Sequence, residues 1–115
     1  MRFRIVLGFA SLLAGTDVAS AGPGTSLPDA ASGQRLAERL CASCHLTGTS
    51  QEHANVDVPS FREIAGKTGQ TEGAVMAHVM LPKHPMPALP LTRRELADLA
   101  AYIMSLREQE GRPNP

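Results

Sequence analysis

The stretch Cys41-Ala42-Ser43-Cys44-His45 gathers the side chains of this sequence best equipped for chemistry. Cys-x-x-Cys-His is the pattern of covalent c-type haem attachment. Two thiols separated by two residues can each add to one vinyl group on the same porphyrin edge, and the adjacent imidazole then presents a ring nitrogen to the iron. Three other uses of paired cysteines compete with this one. A structural zinc site takes four ligands, and without further Cys the others would have to come from His53, His78 and His84, which are scattered at unsuitable spacing. A thioredoxin-like redox pair needs a βαβ context, which the helical patterns around the motif deny. A disulfide suits an oxidising compartment, but one between cysteines this close closes a tiny loop and stabilises little. The spacing therefore favours one covalent haem, linked through thioethers at Cys41 and Cys44, with His45 as an axial ligand.

Iron in a haem has a second axial position, and Met86 is the candidate for it. A Met–His ligand pair raises the reduction potential. Met86 lies between Pro85 and Pro87 in Pro82-Lys83-His84-Pro85-Met86-Pro87-Ala88-Leu89-Pro90, where four prolines in nine residues exclude regular helix and central strand. Such a strap is stiff and extended, which limits the entropy lost in holding a thioether on iron. His84 is the rival ligand, two residues away, and would give bis-His ligation at a lower potential. Met76, Met80 and Met104 lie on helical patterns and read as core filling. His53 and His78 read as surface or flanking residues.

These groups need a scaffold, and the pattern around them is helical. From Ser32, a candidate N-cap, the run to Cys41 is rich in helix formers. Leu36 and Leu40 sit one turn apart on a small, apolar face with Gly33 and Ala37. Leu46 to Ser60 is polar and without period, a loop, and Phe61 to Ala65 is a short helical turn. A third helix follows Thr71 as N-cap and runs through Met80, with Val75, Met76, Val79 and Met80 clustered on one side; Pro82 stops it near Leu81. The clearest helix is the last. Thr92-Arg93-Arg94-Glu95 matches a capping box, and Leu91 with Leu96 matches the hydrophobic staple. Leu96, Leu99, Ala100, Ile103 and Leu106 then recur at helical spacing, while the charged stretch from Arg107 is expected to fray. With no strand pattern and no internal repeat, the expected class is all-α.

A chain of 115 residues fits one domain. Its first 21 residues read as a secretory signal: basic Met1-Arg2-Phe3-Arg4, an apolar run from Ile5 to Ala14, and Ala19-Ser20-Ala21 before a cleavage point. The apolar run is too short for a stable membrane span. Residues 22–31 read as a flexible mature N-terminus, 32–108 as the domain and 109–115 as a tail. Of the 11 basic and 11 acidic residues, the signal carries Arg2, Arg4 and Asp17, so the rest has nine basic and ten acidic and a formal charge of −1. That balance gives no basic stripe for nucleic acid and no polybasic patch for anionic lipid. Beyond residue 21 the aromatic side chains are Phe61 and Tyr102. A core this lean is marginal and calls for a staple or cofactor, and haem would supply a large apolar surface for a short chain to wrap.

The ordered set of features resembles the class I cytochrome c family across nearly all of the chain after residue 21. Gly33, eight residues before Cys41, matches that family's helix glycine where the C-terminal helix crosses closely, and Leu99 with Tyr102 matches the partner surface. Ala37 stands at a position often aromatic in the family. Pro59 resembles the family's loop proline whose carbonyl accepts the axial histidine's ring proton, and Met86-Pro87 resembles its methionine strap, here with unusual proline density. The resemblance implies a small cytochrome c fold of about four short helices around one haem, with the N- and C-terminal helices crossing. It also implies a periplasmic one-electron carrier working with redox partner proteins, not an enzyme. Two other readings stay open: a haem-bearing subunit of a larger periplasmic oxidoreductase, and a weakly ligated haem that binds small gases.

Overall fold

The computed structural model describes residues 26–48 and 54–109, and among them it has four α-helices and no strand. These are α1 (Ala30–Leu40), α2 (Phe61–Gly66), α3 (Glu72–Met80) and α4 (Arg93–Gln109). Helix α4 is the spine, and each of the other three packs on it. It qualifies because it is the longest and the most apolar along one face: Leu96, Leu99, Ala100, Tyr102, Ile103 and Leu106 are all buried, at the helical spacing read from the sequence. They meet Ala37 and Cys41 from the α1 end, Phe61 and Ala65 from α2, and Val75 and Val79 from α3 in one core.

The helix starts show how local chemistry set the boundaries. Helix α1 begins three residues before the expected start, because Asp29 rather than Ser32 is its N-cap: Asp29 Oδ1 accepts from the Ala31 N–H at 3.0 Å. Ser32 instead sits in the first turn and donates its hydroxyl to Asp29 Oδ2. Ser60 and Glu63 form a full capping box on α2, which runs one residue past the expected turn, to Gly66. Thr71 caps α3 as expected, accepting from Ala74 N–H at 3.1 Å. Between α2 and α3 the chain turns at Gly69, whose φ of 71° is a left-handed conformation glycine adopts without strain. Thr92 and Glu95 exchange bonds in both directions at the head of α4, 2.8 Å and 3.2 Å, so the capping box there is present.

The crossing of α1 over α4 is the closest helix contact of the fold. A Cβ on Gly33 would lie 1.9 Å from the Asp98 carbonyl oxygen and 2.8 Å from Tyr102 Cβ, which only a residue without a side chain permits. Ala37, one turn on, is wholly buried.

Four expectations need correction. Residues 26–31 are not a loose end: Arg94 of α4 donates to the Ser26 and Leu27 carbonyls, and Asp98 accepts the Asp29 N–H at 2.8 Å. Leu40 is partly exposed, since the chain leaves α1 there and turns its last side chain outward. Met80 is 61 % exposed and not core filling, because Val75 and Val79 take the inward positions of α3; Met76 and Met104 do pack against the core. Arg107 does not begin a frayed tail, as α4 continues to Gln109 and Arg107 donates to the Lys67 carbonyl at 2.7 Å. The proposed signal at 1–21, residues 22–25, His53 and residues 110–115 lie outside the described residues. No helix among the described residues is long and apolar enough to cross a membrane.

Candidate functional site

The Cys41–His45 motif continues the handedness of α1 as a tight turn. Cys41 N–H still bonds to the Ala37 carbonyl at 2.8 Å, and the Cys44 and His45 N–H groups both fold back on the Cys41 carbonyl, at 3.1 and 2.9 Å. This geometry splits the two cysteines by environment: Cys41 is buried in the core and Cys44 is exposed, and no disulfide joins them. Burial, with Cys44 adding to it, pushes the Cys41 thiol up to about 11, so it is an uncharged thiol at neutral pH. Among the described residues no three His, Cys, Asp or Glu side chains converge to hold a metal ion, so a zinc site built on the two cysteines finds no further ligands there.

His45 is held from three directions. Its Nδ1 lies 2.6 Å from the Pro59 carbonyl oxygen; a carbonyl only accepts, so Nδ1 carries a proton, which makes Nε2 the nitrogen suited to iron. The Phe61 ring packs beside the imidazole, centroids 5.4 Å apart and planes inclined by 48°. The backbone beyond His45 is tied down in turn: Leu46 O accepts from Phe61 N–H at 2.9 Å, and Thr47 O accepts from the buried Tyr102 hydroxyl. Tyr102 meets Phe61 edge-on at 6.4 Å, an arrangement aromatic pairs favour. Helices α2 and α4 thus fix the imidazole through one row of rings and three carbonyls. Asn55 N–H, bonded to Cys44 O at 3.2 Å, brings the incoming loop back to the motif.

Met86 is half-buried and packs against the same core that contains Cys41, its N–H bonded to the Lys83 carbonyl at 3.0 Å. His84, across a cis His84–Pro85 peptide, is exposed. His78 is exposed on α3, its Nδ1 2.8 Å from its own helix's Ala74 carbonyl. The sequence-predicted residues therefore divide: Cys41 lies in the core and Met86 packs against it, His45 joins it through the Phe61 ring and bonds the exposed Pro59 by its carbonyl, and Cys44, His78 and His84 are exposed.

The donor set fits a haem. Two uncrosslinked thiols on one turn suit the two vinyl groups, and an imidazole whose Nδ1 proton is given to the Pro59 carbonyl presents Nε2 as its iron-binding nitrogen. Two contributors were missed in the sequence. The sequence presents Phe61 as a core aromatic at the start of a short helical turn, though its place two residues after Pro59 puts it against His45. The Ser60-x-x-Glu63 pair carries a capping-box signature that a polar loop ahead of it disguised.

Residues 28–103 match the family model described as cytochrome c oxidase, cbb3-type, subunit III. Over 91 residues the chain is 44 % identical to cytochrome c-552 of Bradyrhizobium diazoefficiens, a match spanning 78 % of this chain and 86 % of that protein. No solved structure matches.

Proposed function

The chain belongs to the class I monohaem c-type cytochromes, an electron carrier with one covalent haem c attached through Cys41 and Cys44, and from that premise we propose that it works in the periplasm with His45 and Met86 as axial ligands. The observation that carries the ligand assignment is the 2.6 Å bond from His45 Nδ1 to the Pro59 carbonyl. It fixes the tautomer, orients the ring and strengthens Nε2 as a donor, as outer hydrogen bonds to metal-bound histidines do. Bound haem would supply the one-electron couple, with His45 and Met86 as the residues that would hold its iron, and a Met–His ligand pair raises the potential.

The protein's own part is to hold still. Phe61, the Pro59 carbonyl and the Leu46 and Thr47 anchor points keep His45 in one orientation, so little rearrangement accompanies a change of charge at the iron. Met86 is supported over His84 by its burial against the core and by the prolines on either side, which stiffen the strap. The basic and apolar Met1–Ala21 segment supports export. A polypeptide organised this way needs no acid, base or nucleophile: it is an electron-transfer protein rather than an enzyme, and it meets redox partner proteins. A second reading, a haem-bearing subunit of a larger periplasmic oxidoreductase, is favoured by the description of the matching family model.

Absorption spectra of exported, matured protein test the reading. The wild type and His84→Ala are expected to show a weak far-red ferric band from Met–iron ligation, and Met86→Ala to lose it. Loss of the band in His84→Ala with retention in Met86→Ala would reverse the ligand assignment, and ready binding of carbon monoxide by the ferrous wild type would favour an open gas-binding site instead.

A further inference from the structure

The Pro59–Ser60 peptide unit is engaged at both ends. Its carbonyl oxygen accepts from His45 Nδ1 at 2.6 Å, and its N–H, which belongs to Ser60, donates to Glu63 Oε2, also at 2.6 Å. Both are shorter than the usual about 2.9 Å for such bonds. The two bonds share one conjugated amide, so they polarise each other: a carboxylate drawing on the N–H shifts density toward the oxygen and makes that oxygen a stronger acceptor. Ser60 N–H, followed by the Ser60 side chain, holds the Glu63 carboxyl below its usual range, so the group is anionic at neutral pH. Metal-bound histidines are commonly backed by a carboxylate or by a backbone carbonyl; here a carboxylate stands behind the carbonyl.

We infer that Glu63 is a positioning residue for the iron centre, acting on the His45 imidazole through the Pro59–Ser60 amide and lowering the reduction potential by lending that ring more imidazolate character. The inference rests on His45 being the axial ligand. It gives the capping box of α2 two tasks. One is to start a six-residue helix; the other is to pass negative charge to the ligand without placing a carboxylate against it. Glu95 provides an internal comparison. It makes the same type of bond to Thr92 N–H at the head of α4, where the peptide holds no candidate iron ligand.

The test is equilibrium redox titration of the holoprotein, with the ferrous His45 Nδ1–H proton resonance followed by NMR, for wild type, Glu63→Gln and Glu95→Gln. Glutamine keeps an oxygen acceptor and can keep the cap, but removes the charge. Glu63→Gln is expected to raise the potential and to move the Nδ1–H resonance upfield, at both low and high salt, while Glu95→Gln leaves both readings in place. Two results would overturn the inference. One is an unchanged potential and resonance in Glu63→Gln. The other is a potential rise that disappears in high salt with the resonance unmoved, which marks an ordinary through-space effect of a surface charge. Absence of covalent haem from the wild type would overturn the ligand reading along with it, and the absorption spectrum separates that outcome from the other two.

Discussion

Gly33 and Asp98 meet backbone to backbone: the carbonyl oxygen of Asp98 occupies the place where any side chain on residue 33 would begin, 1.9 Å from a Cβ built there. The neighbour is main chain of the central helix and cannot swing away. Gly33→Ala therefore has to push α1 off α4, and overpacking of this kind costs about 3 kcal/mol or more. Chemical denaturation of the holoprotein should show the loss. A Gly33→Ala midpoint equal to wild type would mean the helices do not cross this closely in solution.

Tyr102→Phe keeps the ring that packs edge-on against Phe61 and removes the hydroxyl that donates to Thr47. Loss of one buried bond is worth about 1 kcal/mol. Alkaline pH adds a second signature. Burial, and then Glu38, raise the Tyr102 phenol above its usual 10.0, so the folded state keeps a proton that the unfolded state gives up. Wild-type stability must therefore fall as pH rises past about 10, and Tyr102→Phe should flatten that part of the denaturation profile.

Arg94→Ala removes the clasp on Ser26 and Leu27 and one of the two donors to the buried Asp98 carboxylate. Because the Arg94 side chain is about half exposed, the stability cost should be modest, about 1 kcal/mol. The local effect should be larger. Hydrogen exchange at the Asp29 amide, which donates to Asp98, is expected to accelerate. Unaltered exchange at Asp29 would show that Asp98 alone holds this end.

Acid should loosen the helix starts. Hydrogen bonds from Ser60 lower the Glu63 carboxyl, those from Thr92 lower Glu95, and those from Ser32 and its neighbours lower Asp29. A carboxyl depressed in the folded state contributes stability above its unfolded value, near 4.5 for Glu and 3.8 for Asp, and loses it as pH falls through the folded value. Urea midpoints should therefore drop below about pH 4.5. A Glu63→Gln, Glu95→Gln double variant should show a shallower drop, and an equally steep one would assign acid sensitivity to other groups.

Much of this was legible in the residues, for reasons that are local. The cap at Thr71, the box at Thr92 and Glu95, and the spacing of Leu96, Leu99 and Ile103 all act within a turn or two of chain, so type and spacing suffice to place them. The start of α1 was misjudged for an equally local reason: Asp29 and Ser32 both cap well, and the choice fell to Asp29 because Asp98 fixes its N–H. Contacts between distant segments carried no signal of this kind. Nothing in Arg94 alone announces a bond to a carbonyl 68 positions away, and the exposure of Met80 depends on which side of α3 meets α4, where Val75 and Val79 take the inward places. The glutamate behind Pro59 fell between these cases, since its spacing from Ser60 was readable and the meeting with His45 was not.

The crossing of α1 and α4 also sets an order in time. Asp29 and Asp98, joined across 69 positions, cannot meet until nearly the whole chain has emerged, and contacts so far apart in sequence form late. Until α4 packs in, Cys41 lacks the core that buries it, whereas Cys44 stays exposed even in the finished fold. The last helix thus sets the environment of one sulfur and leaves the other at the surface.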